Sequence, residues 1–177
     1  MPRAQKPHSM YPALHAAVTD HLAEFSPTLA AGLTFHHTDT ETGYNNAYNT
    51  NVMGHFACYN PKCTATGWGS KMIAIRIRMY KGDNKGDGCK YNVRVYHQHC
   101  EKCSFLGKAK IDEDSYVERV GYRLRKWHGL VRKSDPVPPF QGRSKKPHND
   151  ALCEGCKVGH CKAGAGAGRG RGRGRGR

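Results

Sequence analysis

The sequence predicts a small α+β domain, with an antiparallel β-hairpin, two helices and a disordered tail. Two segments alternate apolar and polar residues, as strands with one buried face do. Two others repeat apolar residues every three or four positions, as amphipathic helices do. Leu, Ile, Val and Phe supply only 26 of the 177 residues, too few for a large core in a chain of this charge. The fold therefore needs cross-links in addition to hydrophobic packing.

The first helix is predicted at residues 11–25, where one apolar stripe contains Leu14, Val18, Leu22 and Phe25. We expect this stripe to pack on the rest of the domain, although a partner-binding helix has the same pattern. Residues 26–50 are rich in Gly, Asn and Thr and are expected to form a loop.

The hairpin is predicted from residues 73–80 and 91–96, with the turn-rich segment 81–88 between them. In the first strand Ile73, Ile75, Ile77 and Met79 share one face, and the other face carries basic and aromatic side chains. Shorter strands are predicted near residues 52–56 and 106–111.

The second helix is predicted from Tyr116 to His128. Ser115 and Glu118 fit a capping box, and Gly129 is a good stop signal.

The last fifteen residues, 163–177, contain only Ala, Gly and Arg and cannot form a core. The chain is therefore divided into an N-terminal helix and loop at 1–47, a folded domain at 48–162 and a disordered tail at 163–177.

The charge is strongly positive, with 29 basic and 14 acidic side chains and a formal net charge of +15. Residues 1–50 are slightly acidic, and the excess of basic residues lies beyond Asn51. Such a balance suits a polyanionic partner. No run of about 18 apolar residues predicts a membrane span. The N-terminus has no signal-peptide pattern, so we expect a cytoplasmic or nuclear protein.

Cysteine pairs are the strongest chemical signal in the chain. Cys58/Cys63, Cys100/Cys103 and Cys153/Cys156 have the short spacings that let two thiolates reach one metal ion. In a reducing compartment, metal is favoured over disulfides. Thiolate-rich sites are typical of structural rather than catalytic zinc, and no catalytic motif is present, so we expect a protein that is not an enzyme.

The simplest assignment places two structural Zn²⁺ ions in the chain. The first ion is bound by Cys58, Cys63, Cys100 and Cys103, and the second by His148, Cys153, Cys156 and Cys161. A cross-braced pairing stays open, as does replacement of a ligand by a neighbouring histidine or cysteine. Those alternative ligands are Cys89, His97, His99 and His160.

An ordered series of motifs between Tyr48 and Cys161 resembles the 3CxxC-type zinc-finger family, in particular its fungal members. The matching segments are 54–58, 68–70, 91–98, 115–120, 122–124 and 147–161. The resemblance implies a zinc-binding domain related to those of zygote-arrest proteins, which resemble messenger-RNA binders, and of receptor-transporting proteins. This sequence departs from the pattern in its first pair, where four residues separate the cysteines. Receptor-transporting members often carry a C-terminal membrane anchor, and none is expected here.

RNA is the predicted partner. Arginine and tyrosine side chains share one face of the hairpin, where rings can stack on bases and arginines can contact phosphates. The predicted RNA-binding residues are Arg76, Arg78, Tyr80, Arg94 and Tyr96 in the hairpin and Arg169, Arg171, Arg173, Arg175 and Arg177 in the tail. The alternative is a protein-interaction adaptor or chaperone-like module that does not bind nucleic acid.

Overall fold

A single mixed sheet organises the computed structural model, which describes residues 6–80, 88–137 and 147–163. The strands are β1 His8–Ser9, β2 Thr34–Phe35, β3 Asn46–Ala57, β4 Gly67–Tyr80, β5 Lys90–Tyr96 and β6 Lys108–Ile111. The helices are α1 His15–Ala23, α2 Pro27–Gly32, α3 Glu113–Trp127 and α4 Glu154–Lys157, with 3-10 turns at Pro12–Leu14 and Asp150–Leu152. The predicted α+β class is confirmed.

The strands run in the order β1-β5-β4-β3-β6, and the short β2 adds to β5 in parallel. The predicted hairpin is the antiparallel β4–β5 pair, although its connection at 81–87 lies outside the described residues. The predicted strand at 52–56 is part of a longer β3, which pairs with β4 along most of its length. A register shift between Val52 and Gly54 marks a β-bulge in this pair, and β6 pairs only beyond it.

The core lies between one face of the sheet and helices α1 and α3. Ile73, Ile75 and Ile77 are fully buried there, as the alternation predicts. Val18 and Leu22 of α1 pack in the same cluster. Phe25, by contrast, is 49% exposed, and its ring lies against the guanidinium of Arg125 at the surface. Phe25 lies beyond the last residue of α1, so the predicted apolar stripe ends one turn early.

The N-terminal segment shares this core. Residues 26–50, expected to be a loop, contain α2, β2 and the first five residues of β3, and Leu33 and Phe35 are buried. Ser26 caps α2 by accepting from the Leu29 backbone N–H, which is the local signal for this helix. Strands β1 and β2 both pair with β5, so the residues before 48 complete the sheet.

Helix α3 begins three residues earlier than predicted. Asp112 is the N-cap and accepts from the backbone N–H of Ser115, so Ser115 is inside the helix. The Ser115 hydroxyl instead accepts from the Met53 backbone N–H and connects α3 to β3.

Within the described ranges, no helix has the length and apolarity needed to cross a lipid bilayer.

Candidate metal centres and the arginine face

Two groups of four potential ligands come together, and each has the dimensions of a zinc site. The first, which we call the four-cysteine centre, contains Cys58, Cys63, Cys100 and Cys103. The second, which we call the mixed-ligand centre, contains His148, Cys153, Cys156 and Cys161. In each group the donor atoms lie within 4.8 Å of one another. These are the two groupings expected from the sequential pairing.

The four-cysteine centre joins two turns that follow different strands. Cys58 directly follows β3, and the Cys100 turn lies between β5 and β6. The Sγ atoms of Cys58 and Cys103 are 3.6 Å apart, and those of Cys63 and Cys100 are 3.9 Å apart. Four sulfurs about 2.3 Å from a tetrahedral zinc are separated by about 3.8 Å. Both separations are close to this value, so the group has the dimensions of a Zn²⁺ site.

The surroundings of the four-cysteine centre shift the pKa values of its thiols in opposite directions. A hydrogen bond from the backbone N–H of Phe105, with smaller effects from neighbouring groups, lowers the pKa of Cys103 to about 6. At Cys58 a hydrogen bond with the Asn60 backbone lowers the pKa, but burial and the adjacent thiols outweigh it and raise the pKa to about 12. Crowded thiols that share protons in this way are the groups that a divalent metal ion would bind as thiolates.

The mixed-ligand centre is formed by a single C-terminal segment. Nε2 of His148 lies 3.2 Å from Sγ of Cys156 and 3.7 Å from Sγ of Cys161. Cys153 and Cys161 are buried, at 1% and 5% exposed. Hydrogen bonding to Cys153, with contributions from His148 and Asn51, lowers the pKa of Cys161 to about 3. This donor set also suits tetrahedral zinc.

The segment His97–Cys100 connects the two centres. Gln98 forms a β-bridge with Cys153, and the backbone N–H of His99 donates to Leu152 O at 2.7 Å. The His99 ring lies between the two turns, with Nδ1 2.8 Å from Ser104 O and Nε2 2.6 Å from Glu154 Oε1.

The alternative ligands named from the sequence lie outside both centres. Among the described residues, His97, His99, His160 and Cys89 belong to neither ligand group. Burial raises the pKa of the Cys89 thiol, which keeps it protonated. The sequential pairing therefore needs no substitute ligand.

The predicted RNA-binding face of the hairpin is not exposed to solvent, so the expectation of an open contact surface there is wrong. Arg78 is fully buried, and Tyr80, Arg94 and Tyr96 are 5%, 9% and 3% exposed. Arg76 is half-buried. The tail arginines at 169–177 lie outside the described residues.

An acidic loop covers one half of this arginine face. Asp39 accepts from Arg94 Nη2 at 2.7 Å and also pairs with Arg78, while Glu41 pairs with Arg94. Burial would raise the pKa of Asp39, but hydrogen bonds from Arg94 and Arg78 outweigh it and lower the pKa. The carboxylates neutralise arginines that could not otherwise be buried.

The mixed-ligand centre covers the other half. Gly155 packs so closely that a Cβ there would lie 2.4 Å from Cβ of Ala74. His160 Nδ1 is 2.5 Å from the Tyr96 hydroxyl, and His160 Nε2 is 3.3 Å from Arg76 Nη1. Alternation predicted correctly which side chains share this face but gave no information about its cover. The acidic character of the N-terminal region was the sequence signal for the carboxylates of the loop.

Comparison with known protein families identifies a zinc-binding domain. A family model described as a zinc-binding domain, the 3CxxC zinc ribbon, matches residues 51–159. No curated protein and no solved structure matches the chain. The matched region spans more than half of the chain and contains seven of the eight residues in the two candidate centres. With two four-ligand groups that could each hold one zinc ion, this chain belongs to the 3CxxC zinc-ribbon family of zinc-binding domains.

Proposed function

We propose that this zinc-binding domain binds single-stranded RNA and that both zinc ions have a structural role. The observation that carries the proposal is an open basic strip on the sheet, formed by His55, Gly67, Gly69, Lys108 and Lys110. All five residues are exposed. The strip replaces the buried hairpin face as the expected contact surface.

Strand pairing brings the strip together. His55 of β3 lies opposite Gly69 of β4 and Lys110 of β6. Two residues farther along β3, Ala57 lies opposite Gly67 of β4 and Lys108 of β6. Directly paired residues point to the same side of a sheet, so the lysines and the imidazole share one face. A side chain at Gly67 would clash with the strand beside it, because a Cβ there would lie 2.4 Å from Phe56 O, and the His55 ring lies over Gly69.

An exposed aromatic residue lies at the same end of the sheet. Tyr59 follows Cys58 in the first turn of the four-cysteine centre and is 64% exposed. Lys62 and Lys102 are exposed on the two turns of this centre. Aromatic stacking with phosphate-directed lysines is the usual way to bind unpaired nucleotides without strong sequence preference.

The Arg-Gly tail supplies additional positive charge. Five arginines alternate with glycine at 169–177, and their contribution to RNA affinity is expected to be electrostatic and salt-dependent. A structural role for the metal follows from the ligand count. Four protein ligands fill a tetrahedral zinc site, whereas a catalytic zinc keeps one position open.

The test compares RNA affinity in three full-length, zinc-loaded proteins across a salt series. The wild type is compared with H55Q/K108Q/K110Q and with a variant in which the five tail arginines are glutamine. We expect each variant to bind a short single strand more weakly. The salt slope should fall by about 0.7 for each phosphate that is no longer neutralised. Zinc content and circular dichroism confirm folding.

Retained affinity in the strip variant, with weaker binding only in the tail variant, would contradict RNA binding by the folded domain. That result would favour the protein-interaction adaptor instead. Absence of RNA binding by the wild type at low salt would contradict the proposal as a whole.

A further inference from the structure

Two cations share one aromatic ring at the edge of the sheet. The guanidinium carbon of Arg123 lies 3.1 Å from the ring centroid of Tyr48, and Nζ of Lys162 lies 4.2 Å from the same centroid. Lys162 also donates to the Tyr48 hydroxyl at 2.6 Å. We call Tyr48, Arg123, Lys126 and Lys162 the Tyr48 cluster.

The Tyr48 cluster has positive charge that is not neutralised. Within the described part of the chain, none of its three cations forms an ion pair with a carboxylate. Nε of Arg123 is buried and has no hydrogen-bond partner there. Cations held this close together repel one another, and a buried guanidinium N–H without a partner is unfavourable. An anion bound beside the exposed Lys126 and Lys162 relieves the repulsion between the cations.

The positive charge of the cluster also shifts the pKa of Tyr48. Burial would raise the pKa of Tyr48, but the hydrogen bond from Lys162 and the charges of Arg123, Lys162 and Lys126 outweigh it and lower the pKa. Burial also lowers the pKa of Arg123, and its interactions with Tyr48 only partly offset this effect. The arginine face shows the contrast, since Asp39 there supplies the counter-charge that the Tyr48 cluster lacks.

The cluster is accessible and its position depends on the zinc fold. Tyr48 lies in the half of β3 that has no β6 partner, and Lys126 and Lys162 are exposed. Lys162 directly follows the candidate zinc ligand Cys161, and its backbone N–H donates to Asn51 of β3. The tail of Ala, Gly and Arg begins at the next residue, and its first arginine is Arg169.

We infer that the Tyr48 cluster is a phosphate-binding site and that, given the proposed RNA-binding function, it takes a backbone phosphodiester of the RNA. The phosphate accepts hydrogen bonds from the guanidinium of Arg123 and the ammonium of Lys162, and Lys126 adds charge. Arg123 is suited to this role because its planar guanidinium matches phosphate geometry. The site lies at the opposite end of β3 from the open strip and next to the tail.

Two measurements on the full-length, zinc-loaded protein test the site. The first titrates inorganic phosphate and follows backbone amide shifts by NMR in the wild type, R123Q/K162Q and the exposed-lysine control K133Q. We expect shifts centred on Tyr48, Arg123 and Lys162 in the wild type and the control, and none in the double variant. Unchanged zinc content shows that the neighbouring Cys161 still binds.

The second measures the affinity for a short single-stranded RNA. We expect R123Q/K162Q to bind about tenfold more weakly at low salt, as removal of a charged hydrogen bond does, with a salt slope smaller by about 0.7. The K133Q control should lie within about twofold of the wild type.

The outcomes separate this inference from the proposed function. If the wild type shows no phosphate-induced shifts at the cluster and R123Q/K162Q binds RNA like K133Q, the site is overturned while RNA binding stands. If phosphate shifts the cluster but no RNA binds, the phosphate site stands with a different phosphorylated ligand and the proposed function fails.

Discussion

The four-cysteine centre and the mixed-ligand centre have similar ligands but very different surroundings. The four-cysteine centre lies beyond the sheet and keeps three of its four cysteines partly exposed. The mixed-ligand centre rests on the arginine face, with Cys153 and Cys161 buried against Ala74 and Tyr96. The first centre joins strand ends that are distant in sequence. The second centre is formed by one short C-terminal segment, which packs on the face of the sheet. Similar chemistry therefore serves two tasks, closure of the fold and covering of a charged face.

Complete zinc removal is expected to have the largest effect on both centres. The apparent stabilisation by one structural zinc is about 10–16 kcal/mol, so two such ions together exceed the usual stability of a domain, about 5–15 kcal/mol. The protein should contain two zinc ions, and a strong chelator should abolish its far-ultraviolet circular dichroism signal. A reproducible content of one ion, or an unchanged spectrum after full removal, would contradict this prediction.

Single ligand substitutions should separate the centres. We expect C161S and C58S each to lose one zinc ion, and C161S to reduce stability more, by about 4 kcal/mol or above. Cys161 is buried and its Sγ accepts from Asn51 Nδ2 at 3.4 Å, so its loss also disturbs β3. Thermal unfolding and zinc analysis measure both effects. Equal destabilisation would show that the difference in burial between the centres has no energetic consequence.

The acidic loop provides the next largest effect, because it covers the half of the arginine face that the mixed-ligand centre leaves free. D39N removes the charge that pairs with Arg78 and Arg94 and leaves the half-exposed Glu41 as their remaining carboxylate partner. We expect a loss of about 3 kcal/mol because the fully buried Arg78 loses its closer carboxylate partner. The exposed Asp20 of α1 gives the control D20N, expected to change stability by less than about 0.5 kcal/mol. Denaturant unfolding measures both, and equal values would contradict a neutralising role for Asp39.

Substitution of two glycines tests how closely the mixed-ligand centre packs on the sheet. In G155A the new Cβ would lie 2.4 Å from Ala74 Cβ, and we expect a loss of about 2 kcal/mol through overpacking. In G159A the new Cβ meets nothing within 4 Å, but the backbone has φ +71°, so only about 1 kcal/mol of conformational strain is expected. A larger effect for G159A in thermal unfolding would mean that close packing on the sheet is unimportant.

The sequence by itself determined the elements with strong local signals. Alternation predicted β4 and β5 and their buried isoleucines, and helical periodicity predicted α1 and α3 within a few residues. Cysteine spacing predicted both ligand groups, because a short spacing lets one turn supply two donors to a metal ion. These features depend on near neighbours in the chain, so they can be read without knowing the fold.

Only the tertiary structure decided which polar face is buried and which is open. Arg78 and Arg94 meet Asp39 across 39 and 55 residues of sequence, and no periodic pattern encodes that pairing. The open strip at His55 and Lys110 depends on the register of β6 against β3, and the Tyr48 cluster depends on a segment 114 residues away. Burial of a charge is set by what the chain places over it, and long-range packing alone supplies that cover.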